Sequence, residues 1–427
     1  SPLIHSGLIA RQPEPQMDFN DSPEEAAFRA EVRAFLDANA RPRTSTSESA
    51  YDGAEDPVAV AKAWQKLIYD AGWACIAWPK QYGGRDATPI QSVIWNQEVS
   101  RYVTPDGMFI IGQGMCAPTL MAYATEEQKA HYLPRIASGE DVWCQLFSEP
   151  VAGSDLAGIK TRAVKDGDEW VVNGQKVWTS GAHYSDWGIL ITRTDPSVAK
   201  HKGLTMFFLD MKSPGVEVRP IKQINGNQDF NEVYFTDVRI PDSQRLGAPG
   251  EGWKVALVTL MNERLAVGGG LSNTVLDVFA AAKEVDVDGA PAIKDKATRE
   301  HLADWYCREM GLKYTSYRMI TALSNGQDPG PEASISKVVV AANNNESANF
   351  ALDMQDYGGI LDADVDDVGF GGQFQRQFLR SPANRIEGGS DEILRNIIAE
   401  RVLGMPPDIR PDKDVPFSEV PQGNVKG

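Results

Sequence analysis

Two short segments gather side chains able to hold and orient a small ligand. The first is Gln145-Leu146-Phe147-Ser148-Glu149-Pro150-Val151-Ala152-Gly153-Ser154-Asp155. Ser148 and Ser154 supply hydroxyls that donate and accept hydrogen bonds, Pro150 ends regular structure, and Gly153 lets a backbone N–H come close to a ligand. Taken alone, such a loop reads as a turn before it reads as a cofactor cradle. The second segment, Asn173-Gly174-Gln175-Lys176-Val177-Trp178-Thr179-Ser180-Gly181, ends in an indole followed by two hydroxyls. A Trp there is ordinarily core, but the hydroxyl pair beside it lets a strand exit face a planar ring. Ser390 is a good N-cap, and a helix N-terminus attracts anions; a plain cap is an equal reading. Cys75, Cys116, Cys144 and Cys307 form no C-x-x-C pair, so with only five histidines no metal site is expected. Free thiols in a reducing compartment are the better reading.

These residues need a scaffold, and the hydrophobic period supplies one in three parts. Ser22-Pro23-Glu24-Glu25 is a capping box with Pro at the first helical position, followed by Phe28, Val32, Phe35 and Leu36 at helical spacing. Residues 41–57 read as an exposed polar loop, and a second helix carries Val60, Trp64, Leu67 and Ile68 and stops near Gly72. A third starts at Thr125 and is expected to break at Pro134. This gives an N-terminal helical domain over 17–143. Over 144–251 the period changes to 2. Asn173-Gly174 predicts a hairpin, and strand-like runs recur at Gly188–Thr194, Leu204–Met211, Val216–Ile221 and Asn231–Ile240, as in a β-barrel or sandwich. Over 252–405 helical patterns return near 253–283, 295–324, 332–357 and 390–403, as in a four-helix bundle. Residues 1–16 and 406–427 are terminal extensions. The first reads as a processed end or expression scar ahead of Met17, and the Pro-rich second as a tail or an arm laid on a neighbour. The fold class is therefore α+β multidomain, in the order α, β, α.

Composition narrows the partners. With 42 Lys+Arg against 59 Asp+Glu, the formal charge is −17, which argues against nucleic acid and anionic membrane surfaces. No apolar run approaches the roughly 18 residues of a membrane span.

The motifs together resemble the acyl-CoA dehydrogenase family of flavoenzymes, from Met17 to about Pro406. The resemblance is carried by WPKQYGG (78–84), LFSEPVAGSD (146–155), VNGQKVW (172–178), FTDVRIPDSQRLGAPGEGW (235–253), QDYGG (355–359) and IEGGSDEILRNIIAERVLG (386–404), in the family's order. It implies FAD between the middle and C-terminal domains with an acyl-CoA thioester across the flavin face. Gln145, Phe147, Ser148, Gly153 and Ser154 then match the loop along the flavin ring, with Ser154 also toward the substrate. Trp178, Thr179 and Ser180 match the segment beside the ring. Gln355, Gly358 and Gly359 match a turn that in the family reaches a neighbouring subunit's FAD, and Ser390 and Glu392 match the helix start near its adenosine end.

The implied chemistry needs a carboxylate to take the proton next to the thioester carbonyl while a hydride leaves the β-carbon. Read from its left end, Ile386-Glu387-Gly388 resembles the loop where medium-chain members place that base. Read from the longer right-hand run, Gly388 occupies the base position and Glu387 stands one residue early. Met261-Asn262-Glu263-Arg264-Leu265 matches the helix where isovaleryl-CoA and long-chain members carry theirs. The sequence therefore favours Glu263 over Glu387, with no working base in this chain as a third reading. Arg264 is placed near the CoA moiety or paired with Glu263, and the N–H of Gly388 is placed at the thioester oxygen. One departure stands out: Lys283-Glu284-Val285-Asp286-Val287-Asp288-Gly289 replaces an Arg-x-x-Phe-Gly stretch that reaches a neighbour's FAD pyrophosphate. Either a homo-oligomer (dimer or tetramer) or a heterotetramer with a paralogous subunit follows, and electrons are expected to pass to an electron-transferring flavoprotein. An acyl-CoA oxidase or flavin monooxygenase on the same fold, and a catalytically deficient subunit completing a partner's site, are the rival functions. A cytoplasmic location is expected, with the mitochondrial matrix as the alternative.

Overall fold

Ser22 starts the first helix as its residue type requires, its Oγ accepting from the Glu25 N–H while the Glu25 carboxylate accepts from the Ser22 N–H. The computed structural model describes residues 21–44, 48–105, 107–268, 275–324, 330–331, 333–410 and 412–420, and only the backbone of 264–268, 320, 323–324 and 333. Met17 and the 1–16 extension lie outside these residues. The N-terminal helices are α1 (Pro23–Asn39), α2 (Pro57–Asp70), α3 (Pro89–Val99), α4 (Ala117–Tyr123) and α5 (Glu126–Ser138). Phe28, Val32 and Leu36 of α1 close on Trp73 and Ile94. Within the expected polar loop, β1 (Arg41–Pro42) pairs antiparallel with β2 (Tyr102–Val103). Pro134 does not break α5: the helix runs on to Ser138 and stops at Gly139, with φ of +76°. Burial of Leu133, Ile136 and Ala137 on either side of the proline outweighs the one lost hydrogen bond.

The middle strands are β3 (Trp143–Leu146), β4 (Arg162–Asp166), β5 (Glu169–Ser180), β6 (Trp187–Arg193), β7 (Leu204–Asp210), β8 (Val216–Pro220), β9 (Phe230–Pro241) and β10 (Arg245–Leu246). They form one sheet in the order β10-β7-β6-β4-β5-β9-β8, with β3 lying parallel beside β6. Alternation divides β6 and β7 between two cores. Ile189, Ile191, Met206 and Phe208 face the helices, while Leu190, Phe207 and Leu209 pack with Val172, Val233 and Phe235 inside the β domain.

Asn173-Gly174 is not a hairpin. It lies inside the continuous strand β5, at a register shift against β9. Gly174 is needed because a Cβ there would stand 2.7 Å from the Thr161 Cα. The real hairpin joins β4 to β5 earlier in the chain, at Gly167-Asp168, with Asp166 opposite Glu169 and Gly167 at φ +60°.

The C-terminal helices are α6 (Gly252–Gly268), α7 (Val275–Glu284), α8 (Lys296–Ser324), α9 (Ala333–Met354), α10 (Gln373–Asn384) and α11 (Asp391–Ile397). Helix α9 packs against α6, α7, α8, α10 and α11, so it is the axis of the bundle. The acidic 284–288 stretch forms a small hairpin, β11 (Asp286–Val287) with β12 (Ala290–Pro291). Helix α10 was not expected. Its buried residues are Phe374, Gln375, Ser381 and Asn384, so much of its buried surface is polar.

The tail also differs from expectation, since residues 412–420 pack on their own middle domain. Phe417 and Ser418 donate backbone N–H groups to the Val198 and Pro196 carbonyls at 2.9 Å, and the Arg193 guanidinium sits 3.5 Å from the Phe417 ring centre. Lys200 bridges Asp412 of the tail, at 2.6 Å, to Asp155 of the hydroxyl-bearing loop. Phe417→Ala removes a packed aromatic side chain worth about 3 kcal/mol. Limited proteolysis should then cut the tail several-fold faster than in the wild type; an unchanged cutting rate would contradict this docking.

Candidate active site

Three elements meet between the sheet and the bundle. Strand β3 brings Gln145, α6 brings Glu263, and the turn between α10 and α11 brings Gly388. Gln145 Nε2 donates to Glu263 Oε2 at 3.2 Å. Gln145 Oε1 is buried without a hydrogen-bond partner among the described residues. Gly388 has φ of +61°, and a Cβ placed on it would lie 3.7 Å from Glu263 Oε1. A side chain at 388 and the carboxylate of Glu263 thus address the same point in space. The side chain of Arg264 lies outside the described residues.

Glu387 is held elsewhere. Its two oxygens accept from Arg380 Nη2 at 2.9 and 2.7 Å, and Oε1 also accepts from Asn384 Nδ2 at 3.2 Å. Its oxygens are thus committed to a guanidinium and an amide, partners that fix it in place away from Glu263.

The sheet wall beside Gln145 is built by the two segments first singled out. The Val177 N–H donates to the Ser148 carbonyl at 2.9 Å, which sets the hydroxyl loop next to the end of β5. Beneath them, Lys176 Nζ donates to the Phe147 carbonyl and to Glu149 Oε1, both at 2.9 Å. Glu149 also accepts from the Lys160 and Thr161 N–H groups at 2.6 and 2.9 Å. Burial opposes its charge, yet Lys176 and these donors hold its carboxyl below the usual glutamate range.

A register shift between Lys176 and Thr179 turns Trp178 outward, at φ +60° and 58% exposed. A bulky residue at positive φ is a strained position, of the kind that clusters at ligand sites. Phe230 meets Trp178 edge-on at 6.1 Å, and the Arg380 guanidinium is 5.8 Å from the Phe230 ring centre, so this wall continues into the bundle. Thr179 is buried, and its Oγ1 has no partner among the described residues. Ser180 is half-buried beside it, Ser154 and Gly153 are exposed, and the space a Gly153 Cβ would enter is open.

The remaining predicted residues form two separate groups. Gln355, Gly358 and Gly359 lie in a turn after α9 whose hydrogen bonds run to α9 and α10: Gln355 Nε2 donates to Ala351, and Gln375 Nε2 to Gly358. Gly359 is required there, because a Cβ would stand 2.2 Å from the Leu352 carbonyl oxygen. Ser390 caps α11 by accepting from the Ile393 N–H at 3.4 Å. The Glu392 N–H and the Ser390 hydroxyl keep the Glu392 carboxyl below its ordinary range. Residues absent from the sequence reading are Arg380 and Asn384, which hold Glu387, and Lys337, whose Nζ donates to the Gly389 carbonyl. Lys337 carried one visible mark, a charge inside the apolar run Ile335–Ala341.

The buried acceptors of Gln145 and Thr179, the outward indole and the open space at Gly153 fit a planar ring with hydrogen-bonding edges. That is the chemistry of a flavin. Fold and site define a flavin-dependent oxidoreductase. The chain matches the N-terminal, middle and C-terminal domain models of acyl-CoA dehydrogenases over residues 22–140, 144–238 and 250–403. It is 36% identical to acyl-CoA dehydrogenase IpdE1 of Mycobacterium tuberculosis, over 89% of this chain and 97% of that protein. Among solved structures it is similar to the Tcur3481-Tcur3483 steroid ACAD (TM-score 0.76, 29% identity, 92% of this chain and 100% of that one). It is similar too to a chain of the ChsE4-ChsE5 complex of Mycobacterium tuberculosis (TM-score 0.75, 28% identity, 92% and 100%). The chain belongs to the acyl-CoA dehydrogenase family. Among the described residues no helix is long and apolar enough to cross a membrane.

Proposed function

We propose that this chain is an FAD-dependent acyl-CoA dehydrogenase that forms a trans-2-enoyl-CoA, with Glu263 as its base. The observation that carries this is the placement of Glu263 opposite Gly388, with Gln145 bound to it, while Arg380 neutralises Glu387. Bound FAD supplies the acceptor for the hydride that leaves the β-carbon. Glu263 takes the α-proton, so that a C=C bond forms as one C–H bond is lost as a proton and the other as a hydride. Gln145 orients the Glu263 carboxylate through its amide N–H. The Gly388 N–H stands on the thioester oxygen and steadies the charge that develops there. Trp178, Thr179, Ser180, Phe147, Ser148, Gly153 and Ser154 form the wall for the ring; Ser390, Glu392 and the Gln355–Gly359 turn serve its more distant parts. Domain borders fall at 143/144 and 251/252.

The substrate class is a bulky polycyclic or branched acyl-CoA, by likeness to the solved steroid ACAD. The acidic hairpin at 286–291 repels a pyrophosphate where the family keeps an Arg, which favours assembly with a paralogous subunit over a homotetramer. An electron-transferring flavoprotein is the proposed acceptor. The test is purification alone and with candidate paralogues, followed by anaerobic addition of short, branched, aromatic and steroid-side-chain thioesters. Bleaching of a yellow protein by the bulky thioesters is the expected result. A colourless, inert protein under every pairing contradicts the proposal, and steady peroxide formation in air would mark an oxidase instead.

A further inference from the structure

The chain leaves the bundle after α11 and returns to the middle domain. Residues 401–410 are exposed throughout, and Gly404 turns the backbone at φ +66°. Residues 412–420 then settle on the loop between β6 and β7 (194–203), where Pro416 also pairs with Ala199. A Pro-rich chain end ordinarily stays loose in water. Here Phe417 is buried, and its backbone N–H and that of Ser418 are spent on the same loop. That loop meets the bundle on its other side, where His201 stands edge-on to Trp253 of α6 at 4.7 Å.

Two relays run from the docked tail to the hydroxyl loop. In the first, Phe417 covers the guanidinium of Arg193, a residue only 4% exposed. Arg193 Nε donates to the Ile159 carbonyl at 3.0 Å, Nη1 to the Lys200 carbonyl at 3.1 Å, and Nη2 to the Ala157 carbonyl. This buried cation is thus met by three carbonyls and one aromatic face, and the tail supplies the face. In the second relay, Lys200 Nζ stands between Asp412 of the tail and Asp155. Asp155, Ala157 and Ile159 follow Ser154 within five residues. Both relays therefore end on the segment that walls the ring site.

The middle domain and the bundle, which form the two sides of that site, are joined in the chain at 251/252. The docked tail joins them a second time, from the end of α11 to the loop between β6 and β7. Domains with a single link move relative to one another readily, whereas a second link raises the effective concentration of one wall at the other. We propose that residues 412–420 are a staple across the cofactor cleft: Phe417 and Asp412, acting through Arg193 and Lys200, position the 153–159 segment and slow the escape of a flavin held between the two domains. This rests on the reading of the cleft as a flavin site.

The exposed stretch 404–409 gives the test its handle, because a recognition sequence for a specific protease can replace it in the full chain. The protein is loaded with FAD, alone or in complex with a paralogous subunit, and release of oxidised FAD on dilution is followed by the rise in flavin fluorescence, so no turnover enters. Cutting the chain and removing the freed tail by gel filtration should speed release about tenfold. A synthetic peptide of residues 412–420, added back, should slow release toward the uncut rate. That rescue separates docking from a general weakening of the fold, which a peptide would not reverse. Phe417→Ala in the uncut chain should also speed release several-fold. Thermal melting checks the fold, and if the cut chain unfolds or keeps its tail, Phe417→Ala decides. Release at the uncut rate after the tail has gone, or in a folded Phe417→Ala protein, overturns the staple, as does a peptide without effect on the cut protein. A chain that takes up no FAD in any pairing overturns the flavin reading and the staple with it. FAD taken up and then released at an unchanged rate overturns the staple alone.

Discussion

Glu263→Gln should reduce thioester-driven flavin bleaching by about 10²- to 10⁴-fold, the range a positioned base contributes. Gln keeps the size of the side chain and its contact with Gln145, so what is removed is the ability to accept a proton. Glu387→Gln is the control. Its oxygens are already committed to Arg380 and Asn384, and its loss should slow bleaching by less than about tenfold through the turn it steadies. Both variants are compared by anaerobic stopped-flow absorbance with one thioester. If Glu387→Gln alone abolishes bleaching, the assignment of the base is wrong.

Lys176→Met should be the most destabilising single change in the middle domain. Lys176 and Glu149 have side-chain exposures of 0% and 4%, and their pair carries the Phe147 carbonyl directly behind the hydroxyl loop. Removing the cation leaves a buried carboxylate without its charged partner, a change that costs about 3–5 kcal/mol. Lys176→Met/Glu149→Leu should recover most of that loss, because two charges are then removed together. The pH dependence has a definite sign. With the Glu149 carboxyl held below its ordinary value, its stabilisation is present above the usual glutamate range and is lost as pH falls through the lowered value. Denaturant unfolding of the wild type and both variants between neutral and acid pH checks this. A loss below about 1 kcal/mol for Lys176→Met at neutral pH would contradict it.

The order α, β, α was legible because the hydrophobic period changes, from 3.6 around Phe28, Val32 and Leu36 to 2 along β8 and β9. What failed to show was set by contacts distant in sequence. Gly174 reads as half of a turn signal, yet it is a glycine because Thr161 of another segment lies against it. Helix α10 buries Gln375, Ser381 and Asn384, polar side chains whose burial depends on partners outside the helix. Pro134 was overruled by burial on both sides. At the site, the competition between Glu263 and Glu387 was visible as a one-residue ambiguity in IEGGSDE. The structure adds that Gly388 and Glu263 converge on one point. Trp178 was legible as a candidate surface for a ring, but the register shift that exposes it was not. Lys337 showed only as a charge in an apolar run, because a single lysine in a helix reads as a solvated charge until its Nζ is found against Gly389.

The reaction proposed for this chain takes an α-proton and delivers a hydride to its own cofactor. It is tested most directly by anaerobic titration of the flavin-loaded protein, or of its complex with a paralogous subunit, with a bulky acyl-CoA. Loss of oxidised-flavin absorbance is followed while the thioester products are identified by mass spectrometry. One trans-2-enoyl-CoA should form for each flavin reduced, and Glu263→Gln in this chain should abolish the yield. Flavin that stays oxidised, or bleaching that survives Glu263→Gln at the wild-type rate, would contradict it.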